Sequence, residues 1–255
     1  VGEPEEYVEA AQLAGLDGII FTCHNPMPDG FGARVRMALE EFDTYLRIID
    51  RARHAWSGTM DVRLGLECDY FPGYEHWLEK QVRSADFHYI LGSVHPQQKE
   101  YRDRYWKGDP VLYQRQYFEL LAEAAETGFF DCLSHPDIIK NETPSDWDPD
   151  NLMDPICAAL DRIAKCHTAM ELNTSGLNKT IPEMNPGPPI LREMYQRSIP
   201  VVIGADAHKP ERVGEDFHQA LDMLETCGYQ HVHFFLERKR HQVSIPEMRS
   251  GLRTI

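Results

Sequence analysis

Leu91-Gly92-Ser93-Val94-His95-Pro96 is the stretch on which the fold turns. An apolar, strand-like run reaches a serine, then a histidine, and a proline follows. Proline has no N–H and holds the residue before it extended, so it ends the ladder and leaves the histidine at the strand tip. Leu133-Ser134-His135-Pro136-Asp137 repeats that order of residue types. One such histidine reads as well as a solvated surface residue. Two built alike favour a shared purpose.

Four further apolar runs end on residues able to bind metal. They are Phe21-Thr22-Cys23-His24, Gly65-Leu66-Glu67-Cys68-Asp69, Ala169-Met170-Glu171-Leu172-Asn173 and Val201 through Asp206-Ala207-His208. Strands that alternate with helices can close into a barrel whose site lies at their C-terminal ends. Residues between positions 24 and 208 would then meet in one cup. Histidine and carboxylate together suit zinc, manganese or iron.

The intervening sequence supports this. Glu5–Ala14, Arg34–Trp56, Tyr74–Arg83, Leu112–Thr127, Asn151–Cys166, Ile190–Arg197 and Phe217–Cys227 read as helices. Asp17–Cys23, Val62–Asp69, Phe87–Val94, Phe130–Leu133, Ala169–Leu172, Pro200–Ile203 and Val232–Leu236 read as strands. Loops after strands are long and polar, among them Gln97–Asp109 and Lys140–Asp150, and those before strands are short. The fold class is therefore α/β with parallel pairing. No composition break divides the 255 residues, so one domain spanning 1–255 is expected.

Twenty-six basic against 41 acidic residues give a net charge of −15, which argues against a nucleic-acid partner. No apolar run is long enough to span a membrane. Six cysteines without a C-x-x-C pair suit a reducing cytoplasm better than a disulfide scaffold. No G-x-S-x-G elbow, Walker loop or dinucleotide fingerprint is present. Oligomeric state is not legible.

Asp206 and His208 lie two residues apart and so share a side of an extended strand end. Glu67 sits inside an apolar strand, where a carboxylate is costly unless paired or bound to metal. It is the candidate bridge between two cations. Asp69 shares its side, either as part of the site or as a loop cap. Glu171 and Asn173 read as lining or supporting residues.

These motifs resemble the PHP (polymerase and histidinol phosphatase) family, and within it the histidinol-phosphate phosphatase branch. F-T-C-H-N-P-M, G-L-E-C-D-Y, G-S-V-H, S-H-P-D, E-L-N-T-S-G-L and G-A-D-A-H-K-P run in family order across nearly the whole chain. The resemblance implies a distorted (β/α)7 TIM-like barrel with two to three divalent ions. In it Glu67 bridges two metals, Asp206 serves the first, His95 and His135 the second, and His24 and His208 the third. We take Glu67, Asp206 and His208 as the catalytic residues. The expected reaction is hydrolysis of L-histidinol phosphate, a small phosphate ester, by a metal-bound hydroxide. Lys140 and Lys179, in loops after strands, are candidate phosphate clamps, although a solvated lysine is as good a reading of each. Tyr101, Tyr105, Trp106, Glu142 and Trp147 could line an acidic, aromatic mouth.

The sequence departs from the family pattern twice. The family opens with an H-x-H strand and a further ligand ahead of the stretch matching Gly2-Glu3-Pro4. Neither occurs here, which we read as a segment preceding Val1, so that the first strand is missing from this sequence. Cys23 stands where the family usually has aspartate. Two other readings stay open: a PHP phosphoesterase for another ester, such as a nucleotide or phosphoprotein, and an impaired barrel serving as a binding module.

Overall fold

The structure is a computed structural model that describes residues 2–32 and 34–253. Val1, in the opening stretch discussed above, lies outside the described residues.

The chain opens with helix α1 (Pro4–Leu13). Glu3 precedes it, and its N–H donates to Glu6 Oε2 at 2.6 Å. Strand and helix then alternate: β1 (Gly18–Phe21), α2 (Phe42–Ala55), β2 (Asp61–Asp69), α3 (Glu75–Gln81), β3 (Tyr89–Ser93), α4 (Lys99–Tyr105) and α5 (Pro110–Glu126). They continue through β4 (Cys132–Leu133), α6 (Pro149–Lys165), β5 (Ala169–Asn173), α7 (Pro188–Gln196), β6 (Val201–Gly204) and α8 (Phe217–Cys227). The chain then forms β7 (His231–Leu236), β8 (Lys239–Ser244) and α9 (Ile245–Gly251).

Strands β1 to β6 make one parallel sheet in chain order. It curls into a half-barrel with helices packed outside, which bears out the expected barrel class. Every residue of β3 and β5 is buried. That follows from a parallel sheet covered on both faces, and Ser93, Glu171 and Asn173 are the polar residues buried within these two strands. Leu66, Ile90, Leu133 and Leu172 are fully buried within the main core.

The last expected strand pairs differently. Strand β7 joins β8 in an antiparallel hairpin rather than extending the parallel sheet. The hairpin closes the base of the half-barrel. Phe235 stacks on Tyr89, the first residue of β3, with ring centroids 5.3 Å apart. Arg238 Nε bonds Asp131 Oδ2 at 2.5 Å, and its Nη2 donates to the Phe129 carbonyl at 2.8 Å. Arg240 reaches the His167 carbonyl, just ahead of β5, at 3.0 Å.

Two other expectations are corrected. The helix read as Arg34–Trp56 begins only at Phe42. Residues 34–38 are irregular because Arg36 is drawn inward to buried partners, and a short 3-10 turn, Leu39–Glu41, leads into the helix. The polar loop Gln97–Asp109 contains helix α4, which buries Tyr101. No helix among the described residues is long and apolar enough to cross a membrane.

Candidate metal centre

The parallel register carries the site residues to one end of the sheet. Beyond β1 the ladder resumes for a single step, with His24 beside Glu67. Glu67 N donates to the Cys23 carbonyl at 3.0 Å, and Asn25 N to the Glu67 carbonyl at 2.8 Å. Strands β3 and β4 each stop two residues short of a histidine, at Ser93 before His95 and at Leu133 before His135.

Glu67 is the centre of the arrangement. Its Oε2 lies 3.6 Å from His24 Nδ1, and its Oε1 lies 3.5 Å from His95 Nε2 and 3.3 Å from His135 Nε2. Burial alone would raise its pKa. The three imidazoles more than offset that and hold the carboxyl well below the usual carboxylate range. The effect on His135 mirrors this: burial pulls it down, and Glu67 pulls it further up. Asp69 is also buried, and His95 and Arg36 hold it far below its ordinary value against the cost of burial. It accepts from Ser93 Oγ at 2.7 Å and Gln98 Nε2 at 2.8 Å, and contacts both His95 Nδ1 and Arg36 Nη2.

The donor set fits divalent ions. His24, Asp69 and His95 form one group whose ligand atoms could surround an ion, and Glu67, His95 and His135 form another. Nδ1 of His24 and Nδ1 of His135 are buried without a hydrogen-bond partner. Such orphaned polar atoms are costly unless something binds them. The backbone is left-handed at His135 (φ 28°) and Asp206 (φ 45°). Strained backbone at non-glycine residues gathers at functional sites.

Asp206 and His208 lie at the end of β6. His208 Nδ1 is 3.3 Å from Asp206 Oδ1, and the His208 ring is largely exposed. Ser175 Oγ lies 3.1 Å from Asp206 Oδ2 and 2.7 Å from Asn173 Oδ1, two acceptors that share its one hydroxyl proton. Asn173 Nδ2 in turn donates to Glu171 Oε2, at 2.9 Å, which also accepts from the His135 backbone N–H at 2.9 Å. The supporting part read for Glu171 and Asn173 thus has a physical form: they brace His135 and Asp206. Burial pushes the Glu171 carboxyl up to about 7. Gly204 leaves Glu171 its space, since a Cβ there would overlap the carboxylate.

The two lysines part company. Lys179 Nζ is 4.0 Å from Asp206 Oδ2, at the site and partly exposed. Lys140 is fully buried. Its ammonium meets Asp137 Oδ2 at 3.3 Å, Glu183 Oε2 at 3.0 Å and the Met184 carbonyl at 2.9 Å. An ammonium has three donors, and these partners take all three. The structure therefore makes Lys140 an internal tie between loops, not a clamp open to phosphate.

The aromatic mouth also changes. Tyr101 is buried against Tyr113, and Trp147 stacks on Phe118. Glu142 is paired with Arg102 at 2.8 Å. Desolvation, helped by the charge of Glu67, pushes the Cys23 thiol up to about 11. Sequence reasoning missed Arg36 altogether, because an arginine in an amphipathic stretch carries no mark of an inward course.

Comparison with known proteins agrees with this geometry. The PHP domain model matches residues 1–175. The chain belongs to the PHP domain family. It is 37% identical over 239 residues to a protein of Deinococcus radiodurans named probable histidinol-phosphatase, covering 91% of this chain and 90% of that one. It is 23% identical over 257 residues to the histidinol-phosphatase of Bacillus subtilis, covering 87% and 92%. Histidinol phosphate phosphatase from Lactococcus lactis, solved in complex with zinc, L-histidinol and phosphate, shares the fold. Its TM-score is 0.78 at 18% identity, with 93% and 92% of the two chains covered.

Proposed function

We propose that this PHP chain, as one catalytic unit over residues 1–255, is a metal-dependent phosphomonoesterase that hydrolyses L-histidinol phosphate to L-histidinol and phosphate. The observation that carries the reading is Glu67, a buried carboxylate ringed by His24, His95 and His135 at the ends of adjacent strands. The named relative in Deinococcus radiodurans supports the substrate.

In this reading Glu67 would help to hold two ions, the first together with Asp206. His95 and His135 would hold the second, and His24 and His208 would hold the third where a third is bound. Bound ions would supply Lewis acidity toward the phosphoryl oxygens and the attacking water. The protein supplies the rest. Glu67 and Asp206 would offer carboxylate oxygens to the ions, and Glu171 keeps His135 in place through its backbone N–H. Lys179, beside Asp206, adds a cation on the side where the phosphoryl oxygens gather charge. A small phosphate ester is the only partner the reading needs.

Phosphate release from L-histidinol phosphate with added manganese tests the proposal. Fast release that a chelator abolishes is the expected result. Release from other monoesters but not from this one would overturn the substrate and leave the phosphoesterase standing. Metal uptake without hydrolysis of any ester in a broad panel would leave a binding module.

A further inference from the structure

Arg36 makes a set of contacts that the proposed chemistry does not use. Its side chain is almost wholly buried although it comes from an irregular segment. Nη1 donates to the Asn25 carbonyl at 3.2 Å and to Asn25 Oδ1 at 3.4 Å. Nη2 donates to Gln98 Oε1 at 3.2 Å and contacts Asp69 Oδ2. The guanidinium carbon lies 5.5 Å from the centre of the Phe31 ring. Asn25 Oδ1 also accepts from the Asp69 N–H at 3.2 Å, and Gln98 Nε2 donates to Asp69 Oδ2 at 2.8 Å.

The placement of these partners is the informative part. Asn25 follows His24 directly, Asp69 is two residues beyond Glu67, and Gln98 is three beyond His95. One guanidinium therefore ties together the chain just past each of three site residues, on three neighbouring strands. Asp69 also touches His95 Nδ1, on the side of the ring away from Glu67. A carboxylate on the far nitrogen of a ligating histidine fixes the ring and strengthens it as a ligand. The segment is shaped for this. Gly32 has φ 60°, and a Cβ there would run into the Arg36 guanidinium. Its N–H is held by Glu100 Oε1 at 3.1 Å.

We infer that Arg36 is a positioning residue for the metal centre: through the Asn25–Asp69–Gln98 clasp it holds His24, Glu67 and His95 in register and orients His95 by way of Asp69. This rests on the metal-centre reading above. Lysine cannot replace it, because a single ammonium lacks the planar fork whose two separate nitrogens reach four acceptor atoms on Asn25, Asp69 and Gln98.

The test is metal binding, measured in wild type, Arg36→Lys and the double variant Arg36→Met with Asp69→Asn, which removes both charges together. Zinc affinity is read by competition with a chromogenic chelator, and ligand geometry by the visible spectrum of the cobalt(II) form. Circular dichroism reports folding. The expected result is about ten- to a hundredfold weaker zinc binding in both variants, the range for a lost supporting contact. An altered cobalt spectrum and a fall in kcat exceeding any change in KM should accompany it. Gly32→Ala, which displaces Arg36 without touching a ligand, should shift the cobalt spectrum in the same direction. Wild-type zinc affinity and cobalt spectrum in a folded Arg36→Lys overturn the inference alone. Loss of structure in Arg36→Lys with normal metal binding by a folded double variant overturns it too. Failure of the wild-type protein to bind zinc or cobalt overturns the metal-centre reading and the inference together.

Discussion

The two ends of the half-barrel are built on opposite principles. At the C-terminal ends of the strands, Glu67, Asp69, His95, His135 and Glu171 are buried together, two imidazole nitrogens make no hydrogen bond, and the backbone is left-handed at His135 and Asp206. Each such feature costs folding free energy, about 1–3 kcal/mol for a strained residue and similar amounts for an unsatisfied polar atom. At the base, the β7–β8 hairpin covers the strand starts with a Tyr89–Phe235 stack and the Arg238–Asp131 pair. The base carries strain of its own, with left-handed backbone at Glu237 and Arg238 and a buried Tyr89 hydroxyl that makes no hydrogen bond, so what sets the top apart is its cluster of buried carboxylates and imidazoles. Substitutions at the top should accordingly be read in metal binding and rate, and those at the base in stability.

The largest effect should come from Glu67→Gln, which keeps the shape but removes the charge that three imidazoles face. Activity on the ester and metal affinity should both fall by more than the roughly 100-fold upper range of a supporting contact. A Glu67→Gln protein with wild-type metal content would erase the chemical distinction of the top end. Lys140→Met sharpens the comparison from inside the top end. It leaves the buried Asp137 and the partly exposed Glu183 without their cation, and breaking the buried Asp137 pair costs about 3–5 kcal/mol. The denaturant midpoint should drop while KM for the ester holds. Unchanged stability with a raised KM would return Lys140 to the phosphate.

Most of the top end was legible because its signal is local. Proline after His95 and His135, and glycine before Asp206, mark strand ends whatever lies around them. What escaped depends on distant partners. Residues 34–38 carry on the apolar spacing of the helix that follows, but Arg36 is pulled inward by Asp69 and Gln98, 33 and 62 residues away. Helix α4 hides in a polar run because it buries Tyr101 and little else. Strand β8 is exposed and polar over most of its length, and only its partner β7 makes it a strand. Lys140 looks like a clamp from its place after His135. Its burial is decided by Glu183 and Met184, more than 40 residues on.

The smallest effect belongs to the base. Asp131 is pushed above its ordinary pKa by burial, and Arg238 pulls it part of the way back down. Between the unfolded value near 3.8 and the higher folded value, the native state therefore holds a proton that the unfolded chain has already released. Stability falls as pH rises through that window, by about 1.4 kcal/mol for each unit of its width. Arg238→Met removes the pull and widens the window upward. The variant should match wild type most closely in acid, near pH 4, and lose ground steadily toward neutrality, with metal affinity unchanged throughout. Denaturant melts across that range measure the difference. A deficit that shrank as pH rose would mean that Asp131 is not the group Arg238 compensates, and a loss of metal affinity in the same variant would mean that the two ends are not separable.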